Sequence, residues 1–251
     1  MRLRIADDFG LGRRHDQVIL SLIEAGRLDG TSVMVNDAIE PGALARLQAL
    51  RQAGAKVGLH LNLTQPFVGG SPTWPLATLM QPLPGKRLLD AAAASFDRQA
   101  REFVSLFGSG PDFYDGHQHC HCFPAIAPLV TRLPREPASW VRVPLPAAWR
   151  ERMLNLAAGG PKVVLVMALA ARARAIFSAD GWPVNRDFSG FLRLDDPASV
   201  RKWLPRLLAA ADKECLLMLH PGDAYDPVQC PGHAPESRSA ETEILRESAL
   251  R

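Results

Sequence analysis

No apolar run in this 251-residue sequence is long enough to cross a bilayer. The most apolar stretch, Val163 to Ala171, covers about half of the ~20 residues a membrane helix needs and is closed by Arg172 and Arg174. It predicts a buried helix and no membrane span. Charge of one sign is equally scarce. The 29 Lys and Arg and 26 Asp and Glu are spread along the chain and leave a formal charge of only +3, which offers nucleic acid no electrostatic footprint. Cysteine is sparse too: Cys120, Cys122, Cys215 and Cys230 are the whole set. A Cys-x-Cys pair inside a histidine-rich segment is not the spacing of a disulfide-stapled secreted domain, so reduced thiols are expected. The first residues, Met1 to Asp8, meet two acids before any long apolar stretch, which leaves no signal-peptide core and makes a cytoplasmic location the expectation.

What is present is core-forming material: 47% of the residues are hydrophobic and 22% charged, which suits one α/β domain over residues 1–251. Short apolar runs at Arg2 to Ala6, Thr31 to Val35, Lys56 to Leu61, Asp112 to Gly116, Trp140 to Val143 and Cys215 to Leu219 predict strands. Amphipathic stretches at Arg14 to Ala25, Ala43 to Ala53, Leu89 to Phe107, Pro124 to Leu133 and Val200 to Ala211 predict helices between them. Asp195, Asp196 and Pro197 mark the start of the last of these. The alternation predicts βα units and a parallel sheet. Two Pro-rich stretches, Thr64 to Arg87 and Pro221 to Glu236, predict loops over the ligand-binding edge of that sheet.

Chemistry-bearing residues gather where predicted strands end. Ala6-Asp7-Asp8-Phe9-Gly10 sets two carboxylates side by side, expensive unless a cation or a proton transfer accounts for them, although an Asp-initiated turn closed by glycine suits the same residues. In Gly58 to Thr64, alternation puts His60 and Asn62 on one face and Leu59, Leu61 and Leu63 on the other. A polar face at a strand end suits a site better than a core histidine does. The run Asp115-Gly116-His117-Gln118-His119-Cys120-His121-Cys122-Phe123-Pro124 would aim His117, His119 and His121 the same way from an extended segment. That pattern points to metal binding or proton transfer, with Cys120 and Cys122 buried opposite. Leu219-His220-Pro221-Gly222 delivers a histidine to another strand end, as a general acid or as an orienter of another group. Arg142 is a lone guanidinium in an apolar strand: it could hold a carboxylate or a substrate oxygen, or sit on an edge surface. His15, at a helix start, and His233, in a loop, are expected to be solvated. Trp74 is the best of five tryptophans for stacking on a sugar.

In order, Ala6 to Gly10, Gly58 to Thr64, Asp115 to Pro124 and His220-Pro221 resemble the motifs of the YdjC-like carbohydrate deacetylases; Gly26 to Asn36 also resembles that family's second strand. The likeness spans Met1 to about Gly222. It implies a TIM-like (β/α) barrel, distorted or incomplete, with a metal site at the carboxyl ends of its strands. It also implies one divalent ion held by Asp8, His60 and His117, with Asp7 as general base. Ligand type favours zinc, and the resemblance also allows magnesium, manganese or cobalt. Asp7 and His220 are then the catalytic pair, and His119, His121, Arg142 and Asn62 the substrate-contacting group. Two departures stand out. Ile5 replaces the family's usual Asn, and the chain stops at Arg251 after a helix-like Thr242 to Leu250, which predicts a barrel edge left unpaired or covered by a second copy in a homodimer.

The expected activity is removal of the N-acetyl group from an acetylated amino sugar, in an N-acetylglucosamine-containing oligosaccharide or a glycolipid. A phosphoesterase would want more basic residues or a second metal's carboxylates. The rival reading is a catalytically impaired sugar-binding or metal-binding protein on the same fold, against which the retained Asp7 argues.

Overall fold

The structure, a computed structural model, describes residues 2–67, 70, 72–81, 83–228 and 234–247. Cys230, His233 and the end of the predicted Thr242 to Leu250 helix lie outside them. Seven parallel strands form one curled sheet: β1 (Leu3–Phe9), β2 (Gly30–Val33), β3 (Lys56–Leu61), β4 (Phe113–Gly116), β5 (Trp140–Val141), β6 (Asp187–Ser189) and β7 (Cys215–Leu219), in the order β5-β4-β3-β2-β1-β7-β6. Helices α1 (Arg13–Glu24), α2 (Pro41–Gln52), α3 (Leu76–Leu79), α4 (Lys86–Phe107), α5 (Ala127–Val130), α6 (Trp149–Gly159), α7 (Lys162–Ala179), α8 (Pro197–Ala210) and α9 (Pro235–Glu247) make the connections and the outer layer. The fold is a distorted α/β barrel.

The β5 edge of the sheet comes up against the segment that leads into β6. Val141 and Val184 form a parallel bridge, with the Val141 N–H donating to the Pro183 carbonyl at 2.9 Å. One step further on, the Asn185 side chain stands in for backbone: its Oδ1 accepts from the Val143 N–H at 2.6 Å and its Nδ2 donates to the Val143 carbonyl at 3.0 Å. Unpaired edge groups are thereby satisfied where the strands diverge.

Strand alternation sorts the inner side chains into two layers. The lower layer is apolar and includes Ile5, Phe113, Phe188, Leu216 and Met218, all buried in one cluster. Gly58 completes it by omission, because a Cβ there would come within 2.3 Å of the Phe113 ring. Two residues further along the same strands the inward positions are Asp7, His60, Asp115 and His220. Ile5 thus belongs to an apolar floor under the polar layer. The opposite faces, with Ala6, Val57, Leu59 and Tyr114, join the main core against the helices.

Several local expectations are corrected. β6 went unread because three residues, two of them polar, carry no periodic signal. α7 is only partly buried: Val164 and Leu165 are about half exposed (54% and 51%). α5 is far shorter than the predicted Pro124 to Leu133. His15 is fully buried, its Nδ1 accepting from the Asp223 N–H at 3.0 Å. Asp196 does cap α8, accepting from the Ala198 and Ser199 N–H groups.

Candidate metal and catalytic site

Regular alternation would send Asp7 and Asp8 to opposite faces of β1. Instead the register against β2 slips between Ala6 and Phe9, and Asp8 adopts a left-handed φ of 69°. Such an irregularity re-aims a side chain, at a backbone cost on the order of 1–2 kcal/mol for a residue with a Cβ. Both aspartates consequently line one cleft and are buried.

Asp8 divides its two oxygens. Oδ1 lies 3.2 Å from His60 Nε2 and 2.9 Å from His117 Nδ1, while Oδ2 accepts from Arg238 Nη2 at 2.5 Å. Asp8, His60 and His117 bring one ligand atom each to within 4.8 Å of one another, all three buried. The far side of the His60 ring is engaged as well: Nδ1 is 2.6 Å from Asp115 Oδ1 and 3.1 Å from Ser32 Oγ. A proton on Nδ1 donated to Asp115 leaves the Nε2 lone pair aimed at the cluster, as in carboxylate–histidine–metal arrangements. Burial disfavours a charge on the His60 ring, but Asp115, Asp8 and Asp7 outweigh it and raise its pKa to about 10. The pocket is short of positive charge. Two imidazoles and a carboxylate with room beside them fit a divalent cation.

Asp7 is gripped from below. Arg142, fully buried, donates from Nη1 to Asp7 Oδ1 at 2.5 Å and from Nη2 to Asp7 Oδ2 at 2.6 Å, and its Nη2 is 3.1 Å from Asp115 Oδ2. Burial alone would raise the Asp7 pKa; Arg142, helped by His60 and His220, holds it near about 2. Asp8 is likewise held well below the usual range, burial being outweighed by Arg238 and His117. Across the cleft, His220 Nε2 is 3.9 Å from Asp7 Oδ2. Burial lowers the His220 pKa to about 4.

The histidine run is not extended. After Gly116 the chain enters a tight turn over His117–Cys122, with Gln118 and His119 at positive φ (52° and 58°). The three imidazoles therefore part company. His117 joins Asp8. His119 lines the cleft edge-on to Phe191, with ring centroids 5.8 Å apart. His121 is fully buried and its Nε2 donates to the Arg142 carbonyl at 2.7 Å, steadying the backbone that carries the guanidinium. Asn62 also works on backbone: Oδ1 accepts from the Thr64 and Gln65 N–H groups and Nδ2 donates to the Gln65 carbonyl. Arg142, His121 and Asn62 are not among the residues lining the cleft. Trp74 packs against the main core and lies outside that lining as well.

The cleft is about 560 Å³, within the range of small-molecule sites. Its lining combines the polar cluster with the aliphatic side chains of Leu76, Val163, Val166, Leu192, Leu194 and Met218. Both predicted loop regions contribute, through Leu76 and Ala234. Four residues of the site had no role assigned from sequence. Asp115 stands two before His117, on the same inward face as His60 is on β3, which was the available signal. Ser32 lies in the Gly26 to Asn36 segment but was not singled out there, and Arg238 and Glu241 carry no signal, because α9 meets the site only through tertiary packing.

Fold and cluster together define an α/β barrel with an aspartate–histidine site where its strands end. The chain belongs to the YdjC-like family, whose family model, described as YdjC-like protein, matches residues 5–251. It is 27% identical over 264 residues to a chitooligosaccharide deacetylase of Proteus mirabilis (strain HI4320), covering 98% of this chain and 90% of that protein. It is 34% identical over 139 residues to a chitooligosaccharide deacetylase of Enterobacter sp. (strain 638), covering 51% and 52%. In fold it is similar to a crystal structure from Enterococcus faecalis V583 whose proposed role is cellobiose-phosphate cleavage, with a TM-score of 0.61 at 17% identity, over 97% of this chain and 89% of that one. Among the described residues no helix is long and apolar enough to cross a membrane.

Proposed function

We propose that this protein is a metal-dependent carbohydrate deacetylase that hydrolyses the N-acetyl group of an amino sugar within an oligosaccharide or glycolipid. The observation that carries the reading is the division of labour between neighbours: Asp8 shares an oxygen with two imidazoles, while Asp7 faces the same cleft with His220 3.9 Å away. The names of the Proteus mirabilis and Enterobacter relatives supply the substrate class.

In this reading Asp8, His60 and His117 hold one divalent cation, which when bound supplies Lewis-acid polarisation of the amide carbonyl. Asp7 takes the proton of the attacking water. Its carboxylate is ionised and fixed by Arg142, which secures its position and charge at some loss of basicity. Water adds to the acetyl carbon, the C–N bond breaks, and the departing amine must gain a proton. His220, opposite Asp7, is placed to give it. His119 and the aliphatic lining residues border the remaining space, where the sugar or its aglycone would lie.

The test is acetate release from N-acetylated chito-oligosaccharides by the purified chain, after EDTA treatment and after add-back of zinc, magnesium, manganese or cobalt. Asp7→Asn is the control: turnover should fall at least ~10²-fold with cation binding retained. Cation bound through His60 and His117 without acetate release from any acetylated sugar would favour a sugar-binding or metal-binding protein instead.

A further inference from the structure

α9 sends two charged side chains into the site from one face, three residues apart. Arg238 meets Asp8, as described. Glu241 is fully buried, and its Oε2 accepts from the backbone N–H of His220 at 2.7 Å. Its other oxygen, Oε1, lies 4.0 Å from His220 Nδ1. Among the described residues neither of these two buried atoms has a hydrogen-bond partner. Two unsatisfied buried polar atoms 4.0 Å apart are costly to leave unpaired. The other charged groups around the His220 ring are Asp7 and Asp8 from β1, Arg142 from beyond β5, and Arg238. Arg142 and Arg238 are engaged with Asp7 and Asp8 respectively.

We infer that Glu241 is the positioning residue of His220: its carboxylate accepts the Nδ1 proton, fixing the ring in the Nδ1–H tautomer with Nε2 turned to Asp7 and the cleft. The proton passed to the leaving amine then travels through Nε2. Nε2 takes up the proton that Asp7, 3.9 Å away, removed from the attacking water, and the imidazolium is stabilised by Glu241; when Nε2 gives that proton to the amine the ring returns to the same neutral tautomer, so no proton is lost to Glu241 over the cycle. The reactive role rests on the proposed deacetylase reading, whereas the tautomer does not.

Glu241→Gln separates the possibilities. Gln can still accept the His220 backbone N–H through its carbonyl oxygen, which leaves its NH₂ facing Nδ1. A donor there demands a lone pair on Nδ1 and moves the ring proton to Nε2. Long-range ¹H–¹⁵N spectra of histidine-labelled, zinc-loaded protein at pH 8.5, above the value of about 7 to which burial raises Glu241, should show His220 protonated on Nδ1 in the parent and on Nε2 in the variant. If the substrate reading holds, kcat falls on the order of 10–100-fold with KM unchanged, and Glu241→Asp, which keeps the charge, recovers part of it. An Nε2–H tautomer in the parent protein, readable even if Glu241→Gln fails to fold, overturns the inference, as does an unchanged tautomer in a folded Glu241→Gln. An inverted tautomer with no deacetylation by the parent would keep the pairing and sink the deacetylase instead.

Discussion

Arg142 holds Asp7 through two parallel hydrogen bonds of 2.5 and 2.6 Å, its own guanidinium fully buried behind the carboxylate that lines the cleft. This fork fixes both oxygens of the proposed base and neutralises a charge that burial would otherwise expel.

Arg142→Gln should therefore affect stability and activity together. It leaves Asp7 and Asp115 buried without their shared cation, and a loss of about 3–5 kcal/mol is expected from urea unfolding. The Asp7 pKa should climb from about 2, so that the acidic limb of the rate profile moves to higher pH. An unchanged limb in a folded variant would show that Asp7 is not the group being titrated.

Arg238 presses its charge on Asp8 at 2.5 Å, beside the position a cation would take. Arg238→Gln removes that repulsion and frees Asp8 Oδ2. Zinc affinity, measured by calorimetry, should rise on the order of tenfold, ~1.4 kcal/mol, even if turnover drops. Weaker binding would mean that Arg238 is needed to shape the ligand set.

Asp16 governs stability at alkaline pH. It is buried at the start of α1 and accepts from the Gly10 N–H at 2.7 Å. Burial, with smaller contributions from Asp226 and Glu40, raises its pKa to about 8 against an ordinary 3.8. Between those values the folded state holds a proton that the unfolded state has released. Its contribution is thus complete below about pH 4 and disappears as pH rises through about 8. Asp16→Asn keeps the acceptor without the charge, so urea midpoints of parent and variant should converge towards pH 4 and diverge steadily up to pH 9, with the variant the more stable. Parallel pH dependences would refute this.

How much of this was legible in advance follows from what periodicity can express. Apolar runs and their alternation located six of the seven strands, because a strand buried on both faces must be apolar wherever it is not part of a site. The polar exceptions at strand ends, Asp7, Asp8, His60, His117 and His220, were visible for the same reason: each interrupts an apolar pattern that would be cheaper if continued. The backbone departures were not visible. Nothing in Asp7-Asp8 announces the left-handed turn that brings both into one cleft, and His117 to His121 carries an alternation that positive φ at Gln118 and His119 cancels.

Local order, then, was written in the sequence: a parallel sheet built from βα units, with acids and imidazoles set at the carboxyl ends of strands. Partnership was decided by tertiary structure alone. Arg142 reaches Asp7 across 135 positions and Arg238 reaches Asp8 across 230, and His121 and Asn62 turn to backbone although they share motifs with His117 and His60. Hydrophobic periodicity is a property of neighbours along the chain, whereas the pairing of buried charges depends on which strands and helices the curled sheet brings face to face.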